Sequence, residues 1–344
     1  MFEQLKNSKS PVLVTGATGF KGTWLCQLLD ALAIDFVGIG LNDRENHFYS
    51  LNPLDDRIHI LDMTDFYSLK SFMLSINPRH IIHMAASSLV LDSYKSPHFT
   101  FSNNFNSSLN LLEIVKENLD ETKILITTTD KVYKPQLSRE KFIESDPLWG
   151  QDPYSHSKVC VEALVDAYQK LREKPSIYVA RAGNVIGGGD VNKDRLFSEI
   201  GMATVTGDKV VIRNPSHTRP FQHVLDVLFG YLHYLEAISL RKDIPLALNF
   251  ANQQASLSVK EATKAYGLDE SSLIFLDETN ISKKENPILD LNSNLTSQVI
   301  GWSNTMSTKE AIELTKQWWE KIKLDPSASI STTQCNIKDY LAKL

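Results

Sequence analysis

Tyr154 and Lys158 stand four residues apart, a spacing that suits the removal of a proton from an alcohol. Side chains at positions i and i+4 of a helix project from the same face. An ammonium beside a phenol stabilises the phenolate, so we expect Lys158 to lower the pKa of Tyr154 from about 10 toward neutrality. Tyr154 is therefore a candidate base for a substrate hydroxyl.

A second set of polar residues, Thr129, Asp130 and Lys131, adds an acid and a base candidate. Oxidation of an alcohol needs one base and a hydride acceptor. Elimination of water needs an acid for the departing hydroxyl and a base for a carbon-bound proton. Asp130 and Lys131 can supply both, and Thr129 can hydrogen-bond the hydroxyl that Tyr154 addresses. The alternative interpretation is a solvated ion pair at a strand end.

A glycine-rich turn near the N-terminus suits a dinucleotide. Gly16, Gly19 and Gly22 follow a strand-like apolar run and precede a helix-like one. Glycines there let the backbone approach a pyrophosphate, which rests on the unpaired N–H groups of the helix N-terminus. A tight turn without a ligand is the alternative, because the spacing differs from the GxGxxG fingerprint. With a dinucleotide present, Lys158 is also placed to bind the nicotinamide ribose.

The end of the second predicted strand leaves NAD and NADP both open. A carboxylate there would hydrogen-bond the ribose of NAD, whereas an arginine would accommodate the phosphate of NADP. Asp43 and Arg44 are both present. Asp62 and Met63 are expected to flank the adenine, and the 85–86 alanine pair allows close passage of the cofactor.

Strands and helices must alternate to position these residues. Strands are predicted at 11–15, 35–39, 57–61, 80–84, 123–127 and 177–181, with a returning strand at 246–250. Helices are predicted at 20–33, from about 65 with Thr64 as N-cap, at 97–118 and at 155–171. Continuous apolar strands separated by helices imply a parallel sheet covered on both faces. Right-handed crossovers make it an α/β, doubly wound Rossmann-type sheet.

The domain organisation follows from where this alternation stops. Residues 1–182 are predicted to form the NAD-binding Rossmann domain, rejoined by about 220–255. Segments 183–219 and 256–325 are predicted to form a smaller, mostly C-terminal substrate-binding lobe, and 326–344 a C-terminal tail. Stretches 187–189 and 213–220 look like loops. Residues 325–334 are rich in Ser and Thr, so a single short helix is expected only at 337–344.

Composition narrows the class of protein. The 344 residues carry a net charge of −5, so no nucleic acid or anionic membrane is expected as a partner. Cys26, Cys160 and Cys335 show neither paired nor metal-ligand spacing, which favours a reducing compartment and no metal. The N-terminal ten residues lack the apolar core of a signal peptide, and no apolar run is long enough to span a membrane. We expect a soluble cytoplasmic protein.

These motifs resemble the extended short-chain dehydrogenase/reductases, and within them the nucleotide-sugar dehydratases and epimerases, over most of the chain. The residues that carry the resemblance are 16–22, 84–86, Tyr94, Pro97, Asn104, 110–113, 129–133, 152–158, 181–190, 213–224, 230–232 and 301–302. Lys21 stands where isoleucine is more usual in the family and is a likeness to the dehydratases of CDP-glucose. The chain departs from relatives at 87–88, 91–92 and 148–151. Those last three stretches flank the sugar and nucleotide in the family.

The resemblance implies redox-neutral 4,6-dehydration of a nucleotide hexose, most closely of CDP-glucose. Tyr154 takes the C4 hydroxyl proton while hydride leaves C4 for NAD. Lys131, as a neutral amine in a low-dielectric pocket, removes the C5 proton, and protonated Asp130 donates to the departing C6 hydroxyl. Hydride then returns to C6. Because the cofactor is regenerated at each turnover, NAD is favoured over NADPH.

The resemblance and the motifs together assign the remaining site residues. The predicted cofactor-binding residues are Gly16, Thr18, Gly19, Phe20, Lys21, Gly22, Asp43, Asp62, Met63, Ala85, Ala86, Asn104, Thr127, Tyr154 and Lys158. The diphosphate of a nucleotide sugar needs cations and neutral donors. The predicted substrate-binding residues are Asn184, Arg195, Arg213, Arg219 and His223, with Lys193 as a further candidate. His223 is equally well explained as a packed structural histidine.

The resemblance also indicates which partners and which alternative functions to expect. Helices 97–118 and 155–171 commonly pair between subunits in this family, so a homodimer is expected by analogy, and a 3,6-dideoxyhexose for surface polysaccharide is the suggested destination. A 4,6-dehydratase for another nucleotide sugar or a 4-epimerase remains an alternative. An epimerase needs no acid–base pair beyond Tyr154, so Asp130 and Lys131 count against it. A cofactor-binding sensor is the non-enzyme alternative, because fold does not fix function.

Overall fold

The structure, a computed structural model, describes residues 1–41, 55–136, 140–171, 176–241, 243–254, 256–276 and 289–344. Within these residues the strands are β1 Val12–Thr15, β2 Phe36–Gly40, β3 Ile58–Ile60, β4 His80–His83, β5 Lys123–Thr129, β6 Ile177–Ala182, β7 Val185–Ile186, β8 Val210–Ile212, β9 Thr218–Arg219, β10 Gln222–His223, β11 Ala247–Phe250, β12 Leu257–Ser258 and β13 Leu273–Phe275. The helices are α1 Glu3–Lys6, α2 Phe20–Ala31, α3 Phe66–Ile76, α4 Val90–Lys95, α5 Pro97–Asn118, α6 Pro153–Lys170, α7 Leu196–Thr206, α8 Val224–Leu240, α9 Val259–Tyr266, α10 Asn294–Ile300, α11 Thr308–Leu324 and α12 Ser329–Leu341.

Seven parallel strands form the central sheet in the order β11-β6-β5-β4-β1-β2-β3. Most of their side chains are buried because helices cover both faces, which explains the near-continuous apolar strand sequences, whereas His59 and Ile60 of the edge strand β3 are exposed. The chain winds outward from β1 in both directions, so the sheet is doubly wound and the predicted fold class is confirmed. Ligands bind such sheets beyond the carboxyl ends of the strands, at the point where the order reverses. That point lies between β1 and β4.

The observed elements agree with the predicted ones to within about two residues for most strands. The predicted N-cap of α3 was wrong, because Asp65 rather than Thr64 accepts hydrogen bonds from the N–H groups of Tyr67 and Ser68. Thr64 instead donates its hydroxyl to Asp62, 2.8 Å away. A carboxylate therefore occupies the cap of α3, where the helix dipole favours negative charge.

The C-terminal tail differs most from expectation. Helix α12 begins at Ser329, inside the Ser- and Thr-rich stretch that was predicted to be irregular. Ile330, Ile337 and Tyr340 belong to the hydrophobic core that also contains α2 and the sheet. The indole N–H of Trp318 donates to the hydroxyl of Thr333 at 2.9 Å. Small hydroxyl side chains face the core here because they pack closely and find buried partners, so this segment is part of the core.

A second, smaller hydrophobic cluster lies apart from the main core. Its members include Phe197, Ile200, Phe221, Tyr266 and Ile312, contributed by segments on both sides of β11. Short two-stranded sheets, β7 with β10, β8 with β13 and β9 with β12, accompany it. This arrangement fits a smaller lobe, while the boundaries proposed for it stay predictions. Among the residues that the structure describes, no helix has the length and apolar character needed to cross a membrane.

Replacement of Ile337 by alanine tests whether α12 belongs to the core. Ile337 is fully buried, so Ile337→Ala should lower the free energy of unfolding by about 2–5 kcal/mol. The neighbouring exposed variant Lys338→Ala should change it little. Denaturant unfolding of the full chain measures both. Equal unfolding midpoints for the two variants would show that α12 contributes nothing to the core.

Candidate active site

A cavity of about 950 Å³ lies beyond the carboxyl ends of β1, β4, β5 and β6. Segments 190–199 and 211–219, which belong to the predicted smaller lobe, form its opposite wall. The cavity brings together most of the predicted site residues. Those that line it are Gly16, Thr18, Gly19, Phe20, Lys21, Gly22, Asp62, Met63, Ala85, Ala86, Thr127, Thr129, Asp130, Lys131, Tyr154, Lys158, Asn184, Lys193, Arg195, Arg213 and Arg219. Asp43 lies outside the described residues.

The glycine turn is shaped to admit a pyrophosphate. Gly16 has φ of +71°, and a Cβ there would lie 2.9 Å from the backbone nitrogen of Ala85. A Cβ on Gly22 would lie 2.0 Å from the Gly16 carbonyl oxygen. Gly19 is the N-cap of α2, and no side chain caps that helix. The first N–H groups of α2 therefore meet the cavity without a side-chain acceptor, as an anion site at a helix N-terminus requires.

Two buried residues, Thr15 and His83, support the glycine turn, and neither was identified from the sequence. The hydroxyl oxygen of Thr15 accepts hydrogen bonds from the N–H groups of Met84 and Ala85, both at 3.1 Å. The ring of His83 joins Thr15 at 2.8 Å and Ser108 at 3.0 Å. Burial lowers the pKa of His83 to about 3, so its ring stays neutral. Polar residues at the ends of two apolar strands were the only signal in the sequence.

Helix α6 presents Tyr154 and Lys158 to the cavity from its first two turns. Asp152 and Ser155 form a capping box that fixes where this helix begins. Both reactive side chains are buried, and the Lys158 ammonium donates to the carbonyl of Thr127 at 3.1 Å. This bond sets Lys158 against the end of β5.

The predicted lowering of the Tyr154 pKa was wrong. Burial raises the pKa of Tyr154 to about 12, although Arg195 and a hydrogen bond with Thr129 act in the opposite direction. Burial and the nearby Lys21 ammonium also lower the pKa of Lys158 to about 8, against the influence of Glu162. The same desolvation that makes phenolate costly also makes ammonium costly, so the lysine gives less help than its spacing predicted.

Asp130 is a buried carboxyl group that directly follows β5. Its carboxyl accepts the Thr129 hydroxyl at 2.8 Å and the Asn184 amide at 3.3 Å. Burial raises its pKa, although Lys131 and Arg219 pull the pKa down. A Cβ on Gly183 would lie 2.1 Å from the carboxyl oxygen, so only glycine leaves room for this side chain. This role of Gly183 was not evident from the sequence.

Lys131 is half-buried beside Asp130 and also lines the cavity. The turn Asp130–Val132 that carries both residues follows β5 directly, and Thr129 caps it by accepting the N–H of Lys131. An acid and an amine therefore stand at one strand end. Tyr154 lies on the helix that packs beside this turn.

The predicted diphosphate-binding arginines lie in the wall formed by the smaller lobe. Arg195 donates to Asp190 at 3.1 Å and to Ser88 at 2.9 Å, so it links the two walls of the cavity. Arg213 pairs with Asp194 and with Glu199. Arg219 is buried and donates to the carbonyl of Thr218 at 2.8 Å. The carboxylates that orient Arg195 and Arg213 were not identified from the sequence.

Two predicted site residues have other roles in the structure. His223 does not line the cavity; its buried ring accepts the N–H of Leu225 at 3.2 Å and packs edge-on against Trp24. His223 therefore caps α8, and its position does not support the substrate contact that was predicted for it. Asn104 lies behind the cavity wall, where its amide binds the backbone of Ser87 and the hydroxyl of Ser157. These bonds use its polar atoms, so Asn104 shapes the wall and does not face a cofactor.

Comparison with known proteins identifies the family. Residues 12–246 match the model of the NAD dependent epimerase/dehydratase family. The chain belongs to this family. Its cofactor is NAD, so the predicted cofactor is confirmed. The first turn of α2, which no side chain caps, is consistent with this cofactor. The resemblance to nucleotide-sugar dehydratases and epimerases is confirmed as well.

Similar members of the epimerase/dehydratase family include both kinds of enzyme. A CDP-glucose 4,6-dehydratase of Salmonella typhimurium is 38% identical over 232 residues, which cover 64% of this chain and 65% of that relative, slightly less than two thirds of its length. A UDP-glucose 4-epimerase of Mycoplasma pneumoniae is 26% identical over 247 residues, covering 66% of this chain and 72% of the relative. A solved dTDP-glucose 4,6-dehydratase from Bacillus anthracis, in complex with NAD, shares the fold with a TM-score of 0.77 and 18% identity over 91% of this chain and 97% of that chain.

Binding of NADH to this family member should take up protons near pH 8. Lys21 and Lys158 each have a pKa lowered to about 8, mainly by burial, so both are partly neutral there. An anionic pyrophosphate nearby raises both pKa values and draws protons from the buffer. Well below pH 8 both groups are already ammonium, and the uptake should vanish.

Titration calorimetry in two buffers of different ionisation enthalpy measures this uptake. Lys21→Met should reduce it, whereas the exposed control Lys170→Met should not. Identical heats in both buffers at pH 8 would contradict the expected coupling between these lysines and the cofactor.

Proposed function

We propose that this chain catalyses 4,6-dehydration of a nucleotide hexose, converting CDP-glucose to CDP-4-keto-6-deoxyglucose. The observation that carries the proposal is the buried Asp130, whose pKa burial raises, beside Lys131 and close to Tyr154. An acid and a base at one strand end are what elimination of water requires. The 38% identity with the Salmonella CDP-glucose 4,6-dehydratase supports CDP-glucose as the substrate.

The cofactor site follows from the glycine turn and the end of α6. Gly16, Gly19 and Gly22 would hold the pyrophosphate of NAD, and Lys158 would donate to its nicotinamide ribose. When bound, NAD supplies the oxidant for C4 and returns the same electrons to C6. Lys158 is held for this contact by its bond to Thr127.

Tyr154 is proposed to take the proton of the C4 hydroxyl. It needs its phenolate for this step, and Arg195 together with the Thr129 hydroxyl favours that form. The Thr129 hydroxyl can share a hydrogen bond with the same substrate oxygen. Because Tyr154 and Thr129 are buried, charge that develops on the phenol interacts strongly with these groups.

Lys131 and Asp130 are proposed to divide the elimination between them. Oxidation at C4 acidifies the neighbouring C5 hydrogen, which the Lys131 amine then removes. Asp130, in its protonated form, gives its proton to the C6 hydroxyl, and water leaves. The bonds from Thr129 and Asn184 keep the Asp130 carboxyl directed into the cavity.

A 4-epimerase would make poor use of this arrangement. Inversion at C4 needs one base that removes and returns a single hydroxyl proton, a task for Tyr154 alone. Burial of a carboxyl group costs free energy unless hydrogen bonds or a function compensate. Gly183 makes room for the Asp130 carboxyl at the end of β6, which suits a side chain that takes part in the reaction.

The deciding experiment is NMR of the products formed from CDP-, dTDP-, UDP- and GDP-hexoses in deuterated water with catalytic NAD. We expect CDP-glucose to give a 4-keto-6-deoxy product that carries deuterium at C5. If only a hexose linked to another nucleotide gave this product, the proposed substrate would change but the proposed reaction would not. An inverted C4 hydroxyl without solvent deuterium would replace the dehydratase by an epimerase. No turnover with any donor, despite bound NAD, would favour the sensor.

The variant Asp130→Asn provides the internal check on the acid. It should lower the rate of product formation by about 10²–10⁴-fold while reduced nicotinamide still accumulates, because oxidation at C4 does not use this group. Asp290→Asn is the matched control, since Asp290 is a half-buried carboxylate that pairs with Lys141 outside the cavity. Normal product formation by Asp130→Asn would assign the acid to another residue.

A further inference from the structure

We propose that Arg181, with Glu162 and Tyr133, forms a bridge that positions the two halves of the catalytic set relative to each other. One half is α6 with Tyr154 and Lys158, and the other is the turn after β5 with Asp130 and Lys131. We call these three residues the Arg181 bridge. The inference rests on the proposed function, because it assigns the two halves to successive steps of that reaction.

The helix side of the Arg181 bridge runs through Glu162, one turn beyond Lys158. The Glu162 carboxylate accepts the Nε–H of Arg181 at 3.0 and 3.1 Å and the Thr128 hydroxyl at 2.7 Å. Lys158 donates to the neighbouring Thr127 carbonyl. Successive turns of α6 are thus fastened to successive residues of β5, which fixes the register of the helix against the strand.

The turn side of the Arg181 bridge runs through Tyr133. Arg181 donates to the Tyr133 hydroxyl at 2.8 Å, and its guanidinium lies 5.0 Å from the centre of the ring. The hydroxyl in turn donates to Asn249 at 2.7 Å, and the ring stacks on Phe142. Tyr133 ends the turn that carries Asp130 and Lys131, so these contacts determine where that turn stands.

The chemistry of the bridge suits positioning better than stability. Arg181 and Glu162 are both buried, and neither is among the described residues that line the cavity. A buried ion pair loses the hydration of both charges, and apolar residues of similar size often stabilise a core as well. A rigid guanidinium fork, however, fixes the direction of each partner. Arg181 uses this fork to join α6 and the turn after β5.

Two single-hydroxyl variants separate the two sides of the bridge. Tyr133→Phe removes the bonds to Arg181 and Asn249 and keeps the ring, so the turn with Asp130 and Lys131 should shift while α6 stays fixed. Thr128→Val removes one bond to Glu162, so α6 should loosen instead. Neither variant leaves a charge without a partner, because Arg181 and Glu162 still bind each other.

A single-turnover experiment with the holoenzyme and CDP-glucose measures both steps. It follows the absorbance of reduced nicotinamide over time. Its appearance reports oxidation at C4, and its disappearance reports the elimination and the reduction that follow. Tyr133→Phe should slow the disappearance about tenfold and change the appearance less than about twofold. Thr128→Val should slow the appearance about tenfold instead, since small misplacements of reacting groups cost rate steeply.

Tyr266→Phe is the matched control, because it removes a buried hydroxyl that binds Thr204 in the smaller cluster. It should leave both phases unchanged, and thermal unfolding should show that all three variants are folded. Folded variants that slow both phases equally, or neither, would overturn the Arg181 bridge but not the proposed function. Absence of turnover by the unsubstituted protein would overturn the function and the bridge together.

Discussion

Asp130, Tyr154 and Lys158 are buried in one cavity that the half-buried Lys21 also lines, and desolvation makes each of these four groups harder to charge. Desolvation acts on acids and bases in opposite directions, raising the pKa of the carboxyl and the phenol and lowering the pKa of the lysines. The pKa values of the carboxyl and the lysines are thereby brought closer together, whereas the pKa of Tyr154 moves away from those of the lysines. Because proton transfer depends on the pKa values of donor and acceptor, burial in the cavity sets the chemistry as much as the residue types do.

The fold forms the walls of the cavity with few unusual structural features. Parallel strands end at one edge, and the glycine turn lets β1 and β4 approach so closely that Gly16 meets Ala85. The sheet and α6 bring Thr129 and Lys158 to that edge, and the arginines reach it from the smaller lobe. Because one sheet edge collects all these side chains, the geometry of the site depends on strand register and on the placement of α6.

Much of this was predictable from the sequence, because strand and helix periods, the glycine turn and the convergence of parallel strand ends are local patterns. The predictions that were wrong concerned features that depend on contacts between distant segments. Helix α12 resembles an irregular tail until Thr333 meets Trp318, and the pKa of Tyr154 follows from burial that no spacing reveals. Nδ1 of His223 and the amide of Asn104 are taken up by neighbouring groups, which the sequence did not show.

The placement of α12 against α2 has a consequence for how the protein is made. Gln334 hydrogen-bonds Gln27 across 307 positions of the chain, so the helix that begins at the cofactor turn is covered by residues that are synthesised long after it. Contacts of such long sequence separation form late and slow folding. During synthesis, the N-terminal half therefore exposes an apolar face of α2 until α12 has been made and has packed against it. Formation of the helix that begins at the cofactor turn is in this way linked to the docking of α12.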